Sequence, residues 1–119
     1  MQYMLMIHQG TTPTPLDPEA WATLSDEQQQ EIYAAYNTVN ATPGVTPGVG
    51  LQLPETATTV RVENGKTITT DGPFVDTKES MNGYLIFEAA DLDAAIELAA
   101  TIPAARYGGA IEVRPVMEW

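Results

Sequence analysis

There is no cysteine among these 119 residues. That excludes disulfides, thiolate nucleophiles and zinc–thiolate sites, and it fits a reducing cytoplasm. Basic residues are nearly as scarce: five Lys and Arg stand against 16 Asp and Glu, a formal net charge of −11. Arg61, Lys66, Lys78, Arg106 and Arg114 are spread along the chain, whereas gripping a phosphate backbone or an anionic membrane takes a cluster of cations. Neither a nucleic acid nor a membrane is expected as a partner. No apolar run approaches the ~18 residues of a membrane span, and the first residues lack the basic region and cleavage site of a secretory signal.

Serine and histidine are short as well. Ser25 and Ser80 are the two serines, and neither sits in a Gly-x-Ser-x-Gly elbow. His8 is the single histidine and cannot build a zinc site alone. The Gly-Val-Gly around residue 49 lacks the strand, turn and helix that would make it a phosphate loop. No metal and no cofactor are expected, which leaves proton transfer without a cofactor, or plain binding.

What is present fills one domain over residues 1–119, with a hydrophobic share of 44% that suffices for one core. Residues 3–8 read as a strand with Tyr3, Leu5 and Ile7 on one face and Met4, Met6 and His8 on the other. Both faces are largely apolar, so helices are expected over one and a second copy of the chain over the other. Asp17-Pro18-Glu19 opens a short helix to about Leu24. Ser25-Asp26-Glu27-Gln28 has the pattern of a capping box ahead of a longer helix, whose buried stripe is Ile32, Ala35, Tyr36 and Val39.

Residues 42–54, rich in glycine and proline, read as a loop broken by a short strand at about 49–52. Residues 58–62 and 66–70 form a hairpin about Glu63-Asn64-Gly65. Thr70-Asp71-Gly72-Pro73-Phe74 ends it in a stiff acidic corner, where Asp71 could bond back to nearby N–H groups. A strand at 83–88 carries Leu85 and Phe87 on one side, Tyr84 and Ile86 on the other. Asp91 caps a helix with Leu92, Ala95, Ile96 and Ala99 inward and Pro103 at its end. The last strand spans 110–116, and Glu112 and Arg114 form a structural charge pair on it. Strand, helix, hairpin, strand, helix, strand is the order of a ferredoxin-like α+β sandwich: an antiparallel sheet, two main helices on one face, and an extra β-hairpin.

Asp71-Gly72-Pro73-Phe74 followed by Thr77-Lys78-Glu79 resembles the signature of the DGPF proteins, grouped with the YCII-related (YciI-like) family. Tyr3-Met4-Leu5, Gly50-Leu51-Gln52, Ala57-Thr58-Thr59-Val60-Arg61 and Gly83-Tyr84-Leu85-Ile86 agree in order. So do Asp91-Leu92-Asp93, residues 102–108 and residues 112–116. The resemblance implies a homodimer of the dimeric α+β barrel type. It also implies acid–base chemistry of a lyase or isomerase kind, as in a dehydrochlorinase-like branch, or an accessory role beside an extracytoplasmic-function sigma factor. The histidine and aspartate suspected of catalysis in YciI-like proteins are not carried over. Tyr36 holds the histidine's place, and the aspartate's falls near Ile102-Pro103.

Candidate site residues follow. His8 can act as general acid or base near neutrality, or can serve as a hydrogen-bonded interface residue. Asp71 is a carboxylate preorganised by its Gly-Pro turn, or simply a turn cap. Arg106 could neutralise Asp71 or clamp a substrate carboxylate, or form a surface ion pair. Tyr36 and Tyr84 could lend hydroxyls to a pocket, or be core tyrosines with the OH at the rim. The expectation is a cleft near Asp71 that holds a small organic molecule. The alternatives are a sigma-factor accessory, or a corner that sets the dimer.

Overall fold

Alternation in the first strand organises the molecule. In the computed structural model, which describes residues 1–76 and 79–118, β1 (Gln2–His8) buries Tyr3, Leu5 and Ile7 and leaves Met4, Met6 and His8 half-buried. It lies second from the edge in a four-stranded antiparallel sheet that it shares with β2 (Val45–Gly50), β5 (Met81–Glu88) and β6 (Ala110–Pro115), in the order β2-β5-β1-β6. Counting these four strands alone gives 2-3-1-4, the two interleaved β-α-β units of a ferredoxin-like fold. The inserted hairpin, β3 (Thr58–Glu63) and β4 (Lys66–Asp71), is a separate two-stranded sheet.

Among the described residues three α-helices follow their caps. α1 (Pro18–Trp21) starts from Asp17, whose side chain accepts from the Ala20 N–H. α2 (Asp26–Ala41) starts from the reciprocal box of Ser25 and Gln28, at 2.9 and 3.1 Å. α3 (Leu92–Ala99) starts from Asp91, which accepts from the Ala94 N–H at 2.8 Å. α2 and α3 cover the same sheet face: Val39, Ala95, Ala99, Ile102 and Ala104 pack with Tyr3, Leu5, Ile7, Leu85 and Phe87 in one cluster.

Two expectations change. Residues 42–54 are not a loop with a strand at 49–52, because β2 begins at Val45 and runs to Gly50. As an edge strand it tolerates Pro47, which needs no second ladder partner. Gly48 fits because a side chain there would collide with the Tyr84 carbonyl. The inward stripe of α3 is also rotated. Ala95 and Ala99 are buried, with Ala94 and Leu98 packed beside them, while Leu92 and Ile96 are about half exposed. Small residues let this helix sit close to the sheet, and the larger Leu92 and Ile96 are turned outward.

Among the described residues no helix or strand forms a layer over the other sheet face. Met4 stands opposite Ile86 and Arg114, and Met6 opposite Tyr84 and Glu112, so all six share that face. The hairpin turns through Asn64 and Gly65, both at positive φ (51° and 74°), as its two-residue turn requires. Its residues 60–71 are all exposed, including Val60, Val62 and Ile68. The radius of gyration is 16.0 Å, against about 13–14 Å for a compact chain of this length, as a protruding arm on a thin two-layer body would give.

Candidate functional site

A cavity of about 310 Å³ opens between α2 and the β2 side of the sheet. α2 supplies Ile32, Tyr36 and Asn40, which lie four residues apart and so on one helical face. Ile7 and Gln9 close the end of β1, residues 48–51 form the β2 wall, and residues 82–85 form the floor. Residues 13–16 and Trp21 make the lid, and the Trp21 ring is braced edge-on by Tyr33 at 5.5 Å between centroids. Along the β2 wall the β2–β5 register shifts between Pro47 and Gly50. That irregularity is held by the Leu51 N–H, which donates to the Asn82 carbonyl at 2.7 Å. The Asn82 side-chain oxygen in turn accepts from the Gln9 N–H at 2.7 Å and ties the end of β1 to β5.

Among the described residues the lining contains no Asp, Glu, Lys, Arg or His. Its side-chain polar groups are the amides of Gln9, Asn40 and Asn82, the hydroxyl of Thr14, the indole N–H of Trp21 and the Tyr36 phenol, beside the backbone. Burial pushes the Tyr36 hydroxyl above the ordinary tyrosine range, so it stays a protonated donor. Among the described residues that hydroxyl has no hydrogen-bond partner. The Tyr84 ring packs across Gly48.

Of the candidates read from sequence, Tyr36 lines this cavity from α2 and Tyr84 borders it from β5 with its ring over Gly48, on the sheet face it shares with Met6; His8, Asp71 and Arg106 do not line it. His8 lies on the open sheet face, beside a second concavity of about 430 Å³ formed with Glu79, Gly10 and residues 108–110. Its Nδ1 is 3.0 Å from the Glu79 carbonyl oxygen, which can only accept, so the ring proton sits on Nδ1. Its Nε2 is 3.2 Å from Glu112 Oε1 and donates there only when the ring carries a second proton. Arg114 Nε donates to the other Glu112 oxygen at 2.7 Å. That bond, then the Arg114 charge and His8, hold the Glu112 carboxyl below the usual carboxylate range against a smaller opposing effect of desolvation. The charge pair expected of Glu112 and Arg114 thus exists and extends to His8.

Asp71 ends β4 opposite Thr58 at the root of the hairpin. Its side chain is exposed and caps no N–H among the described residues. The corner is closed instead by backbone: Gly72, at φ 99°, donates its N–H to Ala57 O at 2.7 Å, and Thr59 Oγ1 donates to Gly72 O at 2.7 Å. Phe74 is 76% exposed beneath the Arg61 guanidinium, 6.0 Å from the ring centre. Thr77 and Lys78 of the same motif lie outside the described residues. Arg106 faces Glu31 at 3.7 Å, an exposed pair, and not Asp71.

Sequence reasoning missed Trp21, Gln9, Asn40 and Asn82. Asn40 had a usable signal, since it continues the Ile32 and Tyr36 spacing. Trp21 had none, because its place depends on how the lid folds back. Among the described residues no cluster of three or more His, Cys, Asp or Glu could hold a metal, and no helix is long and apolar enough to cross a membrane.

The family model for the YCII-related domain matches residues 1–119. An uncharacterised protein of Rhizobium meliloti (strain 1021) is 34% identical over 99 residues, which cover 82% of this chain and 80% of that protein. The fold order, the hairpin with its Asp-Gly-Pro-Phe corner and these two matches agree: the chain belongs to the YCII-related domain family.

Proposed function

We propose that the protein is a homodimer that binds a small organic molecule in the cavity between α2 and the sheet. The observation that carries this reading is the cavity itself: about 310 Å³, walled by apolar side chains, with a few polar groups in it, the ordinary make-up of a small-molecule site. The reading favours binding over turnover, because among the described residues no group that titrates near neutrality lines this cavity. The dimer is supported by the uncovered face carrying Met4, Met6, Tyr84 and Ile86, a sheet surface that a second sheet would bury.

The test is a thermal-shift screen of small organic molecules against wild type and Ile32→Phe, which adds a ring at the cavity wall. Compounds that stabilise wild type and not the variant support the reading. A screen without hits, together with recovery of a sigma factor in a pull-down, would replace it with an accessory role. Sedimentation of wild type and Met6→Asp tests the dimer: the wild type should run as a dimer and the variant as a monomer.

A further inference from the structure

We infer that the cavity selects an uncharged ring compound with one carbonyl oxygen, held by a hydrogen bond donated from the Tyr36 phenol. The inference rests on reading the cavity as a ligand site and adds the class of ligand.

Charge decides the first part. Among the described residues no group that is ionised at neutral pH lines the space, and burying a carboxylate or ammonium without a counter-charge forfeits its hydration. The chain's strong negative charge disfavours anions further. Shape decides the second part, since Ile7, Ile32, Leu51 and Trp21 offer flat and aliphatic walls on several sides, which a ring fills better than a flexible chain.

Hydrogen-bonding inventory decides the third. The acceptors of Asn82 are already used, its side-chain oxygen by the Gln9 N–H and its carbonyl by the Leu51 N–H. The Tyr36 hydroxyl is left without a partner among the described residues, and so are the side-chain amide of Asn40, one turn further along α2, that of Gln9, and the Trp21 indole N–H. All can donate. A phenol kept protonated by burial is a donor across the physiological range, and a carbonyl oxygen is the complementary group. A ligand with only apolar atoms would leave that donor unpaired.

The experiment uses full-length Trp119→Phe, so that Trp21 is the sole tryptophan and its indole N–H resonance reports on the lid. Three compounds of one shape are titrated: 2-acetonaphthone, 2-naphthoate and 2-ethylnaphthalene. The ketone should bind ~30-fold or more tighter than the carboxylate. Adding Tyr36→Phe should weaken the ketone by about 3- to 10-fold and leave 2-ethylnaphthalene unchanged. Binding of 2-naphthoate as tight as the ketone would overturn the inference while leaving the cavity a ligand site. So would a ketone affinity indifferent to Tyr36→Phe. If none of the three moves the Trp21 resonance, the ligand-site reading falls with it. The ketone-to-carboxylate ratio is measured on the Trp119→Phe protein with Tyr36 intact and does not depend on how well the Tyr36 variant folds.

Discussion

Gly48→Ala is the substitution most revealing of how the cavity wall is built. A Cβ at Gly48 would lie 2.1 Å from the Tyr84 carbonyl oxygen and 2.8 Å from two Tyr84 ring carbons. The ring can swing away, but the carbonyl is fixed in β5, so β2 must peel from the strand it pairs with. Overpacking of this kind costs about 1–3 kcal/mol. The gain from a stiffer unfolded chain offsets about 0.4–1 kcal/mol of it. A net loss of ~1–2 kcal/mol follows. Gly50→Ala is the control, since an added Cβ there meets nothing within 4 Å; it should be neutral or more stable by up to about 1 kcal/mol. Urea unfolding at one fixed protein concentration separates the two, because a dimer's stability depends on concentration. At a slope of ~2 kcal/mol per M, Gly48→Ala should lower the midpoint by about 0.5–1 M. Equal midpoints for the two variants would refute the close approach of β2 to the Tyr84 carbonyl.

Three further outcomes are expected. Thr12 is buried and its hydroxyl has no partner among the described residues, so Thr12→Val should raise stability by ~1 kcal/mol in the same urea assay. Glu112 has its folded-state carboxyl pulled below the ordinary value by Arg114 and His8; its contribution is therefore present above the unfolded pKa and lost as pH falls through the folded one. Melting temperature measured from neutral to acid pH should accordingly fall less steeply in Glu112→Gln than in wild type. Tyr36 is shifted the other way, upward by burial, so its contribution is complete below the ordinary tyrosine value of ~10 and is lost as pH rises through the higher folded one. The alkaline fall in melting temperature should therefore be shallower in Tyr36→Phe, as followed by circular dichroism.

Much of the fold was legible because local signals were strong and mutually consistent. The capping residues Ser25 and Asp91, the Asn64-Gly65 turn and the alternation of Tyr3, Leu5 and Ile7 each specify one element, and the structure realises each. β2 was harder to read since Pro47 and Gly48 argue against a strand locally; they are accommodated by its edge position and by the Tyr84 ring. α3 misled for a different reason: Leu92 and Ile96 are larger than Ala95 and Ala99, yet close helix–sheet approach selects the small residues for the interface. The candidate cavity was harder to read. Tyr36 lines it and Tyr84 borders it, whereas Asp71, the most conspicuous residue of the sequence, ends an exposed hairpin whose corner is tied by Gly72 and Thr59. The link from His8 to Glu112 needed the pairing of the first and last strands, a long-range fact that no local pattern contains.

The account turns on whether the space beneath α2 is a ligand site, and a methyl NMR spectrum read during a titration with 2-acetonaphthone asks this directly. Ile7, Leu16, Ile32, Leu51 and Leu85 line the cavity, while Val60, Val62 and Ile68 lie on the exposed hairpin. The account expects saturable shifts in the first group and none in the second. Shifts confined to the hairpin methyls, or no shifts at all, would contradict it.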